Sequence, residues 1–150
     1  MNDAVQELRI RAEILQHRTQ TQNPNIKRRD CLLAVAKQMG FLNWSHAKRV
    51  LSGELAEDYG SLLCPTKCDG HINLRYKTHT EADAVRRDRG GYLLAYRRQF
   101  LIVERPYSEA LGLDPDDAGW HTIDFDWVRG NGNAVRARLY SKLVAGLPHE

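Results

Sequence analysis

The chain has 150 residues, of which 42% are hydrophobic and 27% charged, a balance typical of a globular protein that forms its own core. No apolar run approaches the roughly 20 residues of a membrane-spanning helix, and the charged N-terminus lacks the apolar centre of a signal peptide. We therefore expect a cytoplasmic protein with no membrane partner, whose three cysteines are reduced.

The net charge of +3 is distributed in alternating blocks along the chain. Residues 1–53 carry nine Lys or Arg against four Asp or Glu, and residues 85–105 carry six against two. Residues 106–131 carry one against six. The chain therefore has no single basic domain, and its mildly basic balance alone says little about its partners.

The first 53 residues predict a unit of three helices. Apolar residues recur at helical spacing over residues 3–17 and again over residues 26–39. Gly40 stands where a left-handed C-terminal cap belongs, so the second helix should end there. A third, shorter helix is expected to run through Leu51 and to end at Gly53.

Within residues 30–53, the string AKQMGFLNWSHAKRVL resembles a small helical module with the pattern Ala-Arg/Lys-x-x-Gly-Phe-x-x-Trp-x-x-x-Lys-x-x-Leu. This module is associated with the N-terminal parts of uncharacterised bacterial proteins, some of which carry a glyoxalase-superfamily label. The matching residues are Ala36, Lys37, Gly40, Phe41, Trp44, Lys48 and Leu51. The resemblance implies a bacterial source and a helical packing unit, and it supplies no catalytic residues.

Residues 54–150 predict a mixture of strands and helices after an acidic connector. Alternation of apolar and polar residues from His71 to Tyr76 predicts a strand with one solvated face. Thr78 or Thr80 then caps a helix that is expected to continue through Asp88.

The strongest pattern in the chain is GYLLAYRRQFLIVE, from Gly91 to Glu104. Two apolar runs, Tyr92–Tyr96 and Phe100–Val103, flank a short polar break, which predicts a β-hairpin. Both runs are apolar on both faces, and such strands are usually covered on both faces. We therefore expect the hairpin at the centre of the fold.

The C-terminal part predicts a short helix after Pro106, an edge strand over Thr122–Val128 and a final helix from a cap at Asn133 through Ala145. The fold class that follows is α+β. A three-helix unit over residues 1–53 packs beside a small, mainly antiparallel sheet that carries a crossing helix and the C-terminal helix. We expect both parts to form one compact domain.

One candidate site is a zinc site. Thiolate and imidazole ligands together suit zinc, and the spacing of Cys64 and Cys68 falls in the usual range. His71 is the third candidate ligand and His79 the fourth, although His79 lies at the far end of a predicted strand.

A second candidate is a nucleic-acid interface, because the second and third predicted helices outline a helix-turn-helix. Ala36 and Gly40 have the separation expected of that motif, whereas His46 falls where the recognition helix usually carries an apolar anchor. Positive charge for phosphate contacts comes from Lys27, Arg28, Arg29, Lys48 and Arg49. The same face is expected to extend to Arg86, Arg87, Arg89, Arg97 and Arg98.

A third candidate follows the glyoxalase label, whose family holds a metal with His and Glu or Gln from strand positions. In this chain His71, Glu104 and His121 are the corresponding candidates, and a homodimer would be required to close the site.

The sequence contains no nucleophile elbow, phosphate-binding glycine loop or dinucleotide fingerprint. The leading hypothesis is therefore a small, non-enzymatic binding or regulatory protein. Its expected partner is another protein or a second copy, ahead of nucleic acid, and the glyoxalase-like enzyme is the alternative.

Overall fold

The structure of the protein, a computed structural model, describes residues 3–52, 54, 57–129 and 134–147. The N-terminal helices are α1 (Asp3–Gln20), α2 (Arg28–Gln38) and α3 (Trp44–Leu51). A 3-10 turn (Thr66–Cys68), β1 (Asn73–Tyr76), α4 (His79–Arg89), β2 (Tyr92–Tyr96) and β3 (Gln99–Val103) follow. The chain continues with α5 (Arg105–Leu111), α6 (Gly119–Thr122) and α7 (Ala134–Ala145). The fold class is α+β, as predicted, while Gly53 and Asn133 lie outside the described residues.

The central hairpin forms as the sequence predicts. β3 lies between β1 and β2 and is antiparallel to both, so the strand order is β1-β3-β2. A row across the sheet joins Leu74, Ile102 and Leu93. Since Tyr96 pairs with Gln99, the turn contains only two residues, and its first residue, Arg97, adopts a left-handed conformation with φ of 52°.

Both faces of the hairpin are covered, which confirms the expectation drawn from its two apolar faces. On one face, Leu93 and Ile102 pack against Ala82 of α4. On the other face, Leu94 and Leu101 belong to the main core and are fully buried. Burial of this kind contributes roughly 25 cal/mol per Å² of apolar surface removed from water, so both faces of the hairpin stabilise the fold.

The main core joins the N-terminal helices to the C-terminal helix. α1 packs against α2, α3 and α7, and a single buried cluster includes residues from Ala4 of α1 to Val144 of α7. Arg11 of α1, whose residue surface is 7% exposed, donates to the carbonyl groups of Val144 and Leu147 at 3.0 and 2.7 Å. A cation at a helix C-terminus is favoured by the exposed carbonyls of the last turn.

The segment before the first strand connects the α2–α3 turn to the hairpin tip. Ser61 donates its backbone N–H to the carbonyl of Gly40. The N–H of Tyr59 donates to the carbonyl of Arg97, and the N–H of Arg97 donates to the carbonyl of Gly60, each at 2.8 Å. Gly40 has φ of 94°, and a Cβ there would collide with the Ser61 hydroxyl. This close approach explains why glycine stands at the end of α2.

The predicted edge strand over Thr122–Val128 is wrong. Residues 119–122 form α6, and Asp124 and Phe125 adopt left-handed conformations with φ of 57° and 54°. Only a single bridge joins this segment to the sheet, between Asp126 and Leu93, and it is parallel. The apolar alternation is misleading because Asp126 is fully buried rather than solvated. Its carboxylate accepts from the N–H groups of Val128 and Arg129, a local turn that competes with a strand.

Within the described part of the chain, no helix combines the length and the hydropathy that crossing a bilayer requires.

A candidate binding groove around Glu104

Glu104 stands at the junction between β3 and α5. It follows the last residue of β3 and is the N-cap of α5, which has proline in its first turn. The residue is exposed, and its carboxylate has no hydrogen-bond or ion-pair partner among the described residues. A carboxylate that is free of a protein partner is available for a ligand.

Three adjoining clefts share Glu104, and we call them together the Glu104 groove. The largest has a volume of about 400 Å³ and two smaller ones have volumes of about 280 and 220 Å³. Besides Glu104, the largest is lined by Gly91, Tyr92, Arg105, Pro106 and Phe125. The second is lined by Ile72, Leu74, Arg89, Gly90 and Ile102, and the third by Gly70, His71, Ile72, Pro106 and Tyr107.

The walls of the largest cleft are positioned by unusual backbone conformations. Gly91 has φ of 94°, and a Cβ there would lie 2.8 Å from the carbonyl oxygen of Val103. Only glycine therefore allows the start of β2 to pass this close to the end of β3. The left-handed conformation of Phe125 is the second such feature, and it places the ring edge-on to Tyr92, with centroids 5.5 Å apart.

The charges around the largest cleft leave Glu104 uncompensated. Arg105, the nearest cation in sequence, is held by Asp116 through two hydrogen bonds of 2.8 Å. The hydrogen bonds from Arg105 hold the pKa of Asp116 below its usual range. Because this bidentate pair neutralises Arg105, the largest cleft presents one free carboxylate between aromatic and aliphatic walls.

The structure does not bring the predicted zinc ligands together. The thiol of Cys68 is buried and lies 3.9 Å from the carbonyl of Tyr107, to which it donates, whereas the sulfur of Cys64 accepts from Arg75 at 3.7 Å. Burial raises the pKa of the Cys68 thiol, which disfavours the thiolate that zinc requires. Among the described residues, which include Cys64, Cys68, His71 and His79, no group of three or more His, Cys, Asp or Glu side chains is placed to hold a metal ion.

The ligands suggested by the glyoxalase resemblance are only partly brought together. His71 and Glu104 line the same cleft, as a shared site would require. His121 is exposed on α6 and packs against Phe125, with ring centroids 4.7 Å apart. In the described ranges the three residues do not form a metal-binding group within one copy of the chain.

Among the arginines predicted to extend a nucleic-acid face, Arg86 and Arg87 are engaged in ion pairs with acidic residues. Arg87 pairs with Asp83 at 3.1 Å and approaches Asp124 at 3.7 Å, and Arg86 approaches Asp124 at 3.9 Å. Two arginines of the basic block over residues 85–105 therefore face Asp124, which belongs to the acidic block that follows. Pairing of this kind removes charge that phosphate contacts would need.

The basic residues of the predicted helix-turn-helix lie at several positions. Lys27, Arg28, Arg29 and Arg49 are exposed, Lys48 is half-buried, and Arg97 and Arg98 are exposed at the hairpin tip. His46 is 4% exposed, and its ring is satisfied on both sides. Nδ1 accepts from the N–H of Leu42 at 3.0 Å, and Nε2 donates to the carbonyl of Asp58 at 2.6 Å. His46 therefore stands where an apolar anchor is expected in a recognition helix. Its two ring hydrogen bonds connect the α2–α3 turn to the segment that contains Asp58.

No sequence pattern indicates the ion-pair cluster around Asp126. The ring Nε2 of His79 lies 2.7 Å from Oδ2 of Asp126, and Nε of Arg129 lies 3.2 Å from the same oxygen. Arg129 also contacts Asp83 at 3.2 Å. His79 and Asp126 are 47 residues apart, and only the burial of Asp126 distinguishes it from the exposed Asp124. The cluster links the start of α4 to the segment beside β2.

No protein-family model matches the chain, and no curated protein or solved structure is significantly similar to it.

Proposed function

We propose that this protein is a non-enzymatic binding protein that holds a basic side chain of a protein partner in the Glu104 groove. The observation that carries the proposal is the free carboxylate of Glu104 in the largest cleft, where the neighbouring guanidinium is already paired with Asp116. The proposal includes a bacterial source and a cytoplasmic location, both of which rest on the sequence alone.

The shape and chemistry of the largest cleft favour lysine or arginine as the bound side chain. Its walls include Phe125 and Pro106, which suit the aliphatic stem of such a side chain. The exposed carboxylate of Glu104 then receives the charged head at the cleft mouth. An aromatic ring beside a cation adds a favourable electrostatic contact.

A protein partner accounts for the extent of the groove. The clefts on either side of Glu104 contain the exposed Ile72, the cation Arg89 and the imidazole of His71. An extended peptide carries apolar, acidic and basic side chains at successive positions, so one segment can occupy adjoining clefts of different character.

The test is a titration of isotopically labelled protein with N-acetyl-arginine amide, followed by NMR. N-acetyl-citrulline amide has nearly the same shape without the charge and serves as the control ligand. We expect saturable shifts at the amides of Gly91, Glu104 and Phe125 with the arginine compound and much smaller shifts with citrulline. Equal shifts with both compounds, or shifts away from these residues, would contradict the proposal.

A pair of variants separates the role of Glu104 from a general effect of charge. Glu104→Gln should weaken binding of the arginine compound about three- to fivefold, the usual size of an exposed ion pair. Glu109→Gln removes the same charge from the exposed surface of α5, outside the residues that line the groove, and should leave binding unchanged. Equal weakening by both variants would show that Glu104 is not the specific acceptor.

Nucleic acid and a metal-dependent reaction are the competing outcomes. Duplex and single-stranded nucleic acid are titrated at two salt concentrations, where strong, salt-sensitive binding that depends on Arg28 and Arg29 would favour the nucleic-acid reading. Metal analysis of the purified protein tests the glyoxalase-like alternative, for which a homodimer supplies the missing ligands. A metal stoichiometry near one per chain would support that alternative and count against a non-enzymatic binder.

A further inference from the structure

The outer edge of β1 carries backbone groups that face away from the sheet. In β2, Leu93 donates to Phe125 and accepts from Trp127, so its backbone groups point away from β3. In antiparallel sheets this direction alternates with every residue. Leu93 pairs with Ile102, and Ile102 pairs with Leu74, so the backbone N–H and C=O groups of Leu74 and Tyr76 point towards β3. The backbone N–H and C=O groups of Asn73 and Arg75 therefore lie on the outer side.

These outward groups have no partner in the described part of the chain. No backbone hydrogen bond reaches the outer side of Asn73 or Arg75 from any described loop or helix. Arg75 is exposed, and Ile72, directly before the strand, is 82% exposed, the largest value among the exposed large hydrophobic residues. An open strand edge beside an exposed apolar side chain is a surface on which another strand can pair.

We propose that β1 pairs antiparallel with β1 of a second copy of this chain, so that two three-stranded sheets become one six-stranded sheet. In the proposed register, Asn73 faces Arg75 of the second copy and Leu74 faces its own equivalent. The two-fold axis is perpendicular to the sheet, as for any antiparallel pair of identical strands, so the two α4 helices lie on the same face.

The register is chosen by the side chains that it brings together. Ile72 lies on the α4 face with Leu74, since both line the same cleft. A shift of the register by two residues in one direction would place Arg75 against Arg75 of the second copy, and like charges directly opposite are destabilising. The proposed register instead places Ile72 against Tyr76 of the second copy, which covers the most exposed apolar side chain.

A second copy suits this edge better than an unrelated strand. Within one strand, Nε of Arg75 donates to Oδ1 of Asn73 at 3.1 Å. In the proposed register each of these two residues also faces the other residue of the second copy, in both directions across the two-fold axis. The short strand and its charges, Arg75 and the following Lys77, discourage pairing with arbitrary strands, as edge charges do in other sheets. The inference does not depend on the ligand of the Glu104 groove, although Tyr76 of the second copy would lie beside that groove because Ile72 lines two of its clefts.

The test is sedimentation equilibrium of the full chain and of two variants that differ only in the charge at position 73. Asn73→Glu places a carboxylate against Arg75 of the second copy twice per dimer and should tighten dimerisation roughly tenfold. Asn73→Arg places like charges there and should weaken it by a similar factor. Both differences should shrink at high salt, since exposed charges are screened.

Circular dichroism and thermal unfolding at low protein concentration establish that both variants fold. Opposite changes in the dimer dissociation constant support the proposal, whereas equal constants for the two variants would show that a different surface associates. A wild-type chain and an Asn73→Glu variant that both stay monomeric at the highest concentration would overturn the proposal.

Discussion

The two edges of the three-stranded sheet are completed in different ways. At the β2 edge, Leu93 bonds to both Phe125 and Trp127 at 2.8 Å, so an irregular segment occupies the place of a fourth strand. At the β1 edge, the outward groups of Asn73 and Arg75 meet no described part of the chain. The comparison shows that this fold closes one edge within the chain and leaves the other available for a partner.

Closing an edge with an irregular segment requires buried polar anchors. Asp126 satisfies two backbone N–H groups of its own turn, and Arg136, which is fully buried, donates to the carbonyl of Trp127 at 2.8 Å. The hydroxyl of Tyr92 donates to the carbonyl of Pro115 at 2.9 Å. Each anchor bonds to a backbone group of an irregular segment, and an unsatisfied buried group would be costly. The open edge needs no such anchors because water satisfies it.

The largest expected effect comes from breaking the anchor of the closed edge. Asp126→Ala should lower the free energy of unfolding by about 3–5 kcal/mol, because it leaves His79 and two backbone N–H groups without their acceptor and removes one of the carboxylates that Arg129 contacts. The neighbouring Asp124, whose side chain is 53% exposed, provides the control, and Asp124→Asn, which tolerates the left-handed conformation at this position, should cost less than about 1 kcal/mol. Chemical denaturation measures both, and similar losses in the two variants would contradict the account.

Proline at Leu74 tests the side of β1 that faces β3. Leu74→Pro removes the N–H that the register assigns to Ile102 and truncates a half-buried side chain, so we expect a loss of about 3 kcal/mol. Thermal and urea unfolding measure the loss. An unchanged stability would mean that the hydrogen-bond direction along β1 has been assigned incorrectly.

The pH dependence of stability tests the link between the acidic loop and α7. Hydrogen bonds from Arg138, from the N–H of Gly119 and from Lys142 hold the pKa of Asp117 well below its usual range. A carboxyl whose folded-state pKa is lowered stabilises the protein above its unfolded pKa of about 4, and this stability is lost as the pH falls further.

Asp117→Asn should therefore reduce the loss of stability that wild type shows below about pH 4, by on the order of 1 kcal/mol, since Arg138 and Lys142 are about half exposed and screened. Urea unfolding at a series of pH values measures the difference. Parallel pH profiles for wild type and variant would show that this carboxylate does not carry the effect.

The smallest expected effect comes from the open edge. Asn73→Pro removes an N–H that points to solvent at the first residue of a strand, a position where proline is tolerated. We expect its unfolding free energy at low protein concentration to change by less than about 1 kcal/mol, in contrast to Leu74→Pro. A large loss would mean that this N–H has a partner within the chain.

The sequence predicts those parts of the fold that depend on local pattern. The hairpin follows from two short apolar runs around a polar break, and the end of α2 follows from Gly40. The predicted break of Arg97, Arg98 and Gln99 is one residue too long, because Gln99 pairs with Tyr96 and belongs to β3. The segment over residues 122–128 could not be predicted, because its alternation of apolar and acidic residues is shared by a solvated strand and by a turn around a buried Asp126. What distinguishes them is the distant His79, which no local pattern reveals.

The candidate site shows the same limit. Glu104 is among the residues considered from the sequence, but as a metal ligand, because the sequence does not show that Arg105 is paired with Asp116 across 11 residues. The contribution of Gly91 and Phe125 to the cleft depends on left-handed backbone conformations. Glycine is a weak sequence signal for such a conformation, and phenylalanine gives none.

Residue-resolved amide hydrogen exchange tests the difference between the two edges most directly. In dilute protein, the Leu93 and Trp127 amides should exchange roughly a thousandfold or more slowly than the Asn73 and Arg75 amides, which face water. The latter two should gain protection as the protein concentration rises and a second copy pairs with β1. Rapid exchange at Leu93, or protection at Arg75 already present in dilute monomer, would contradict the account.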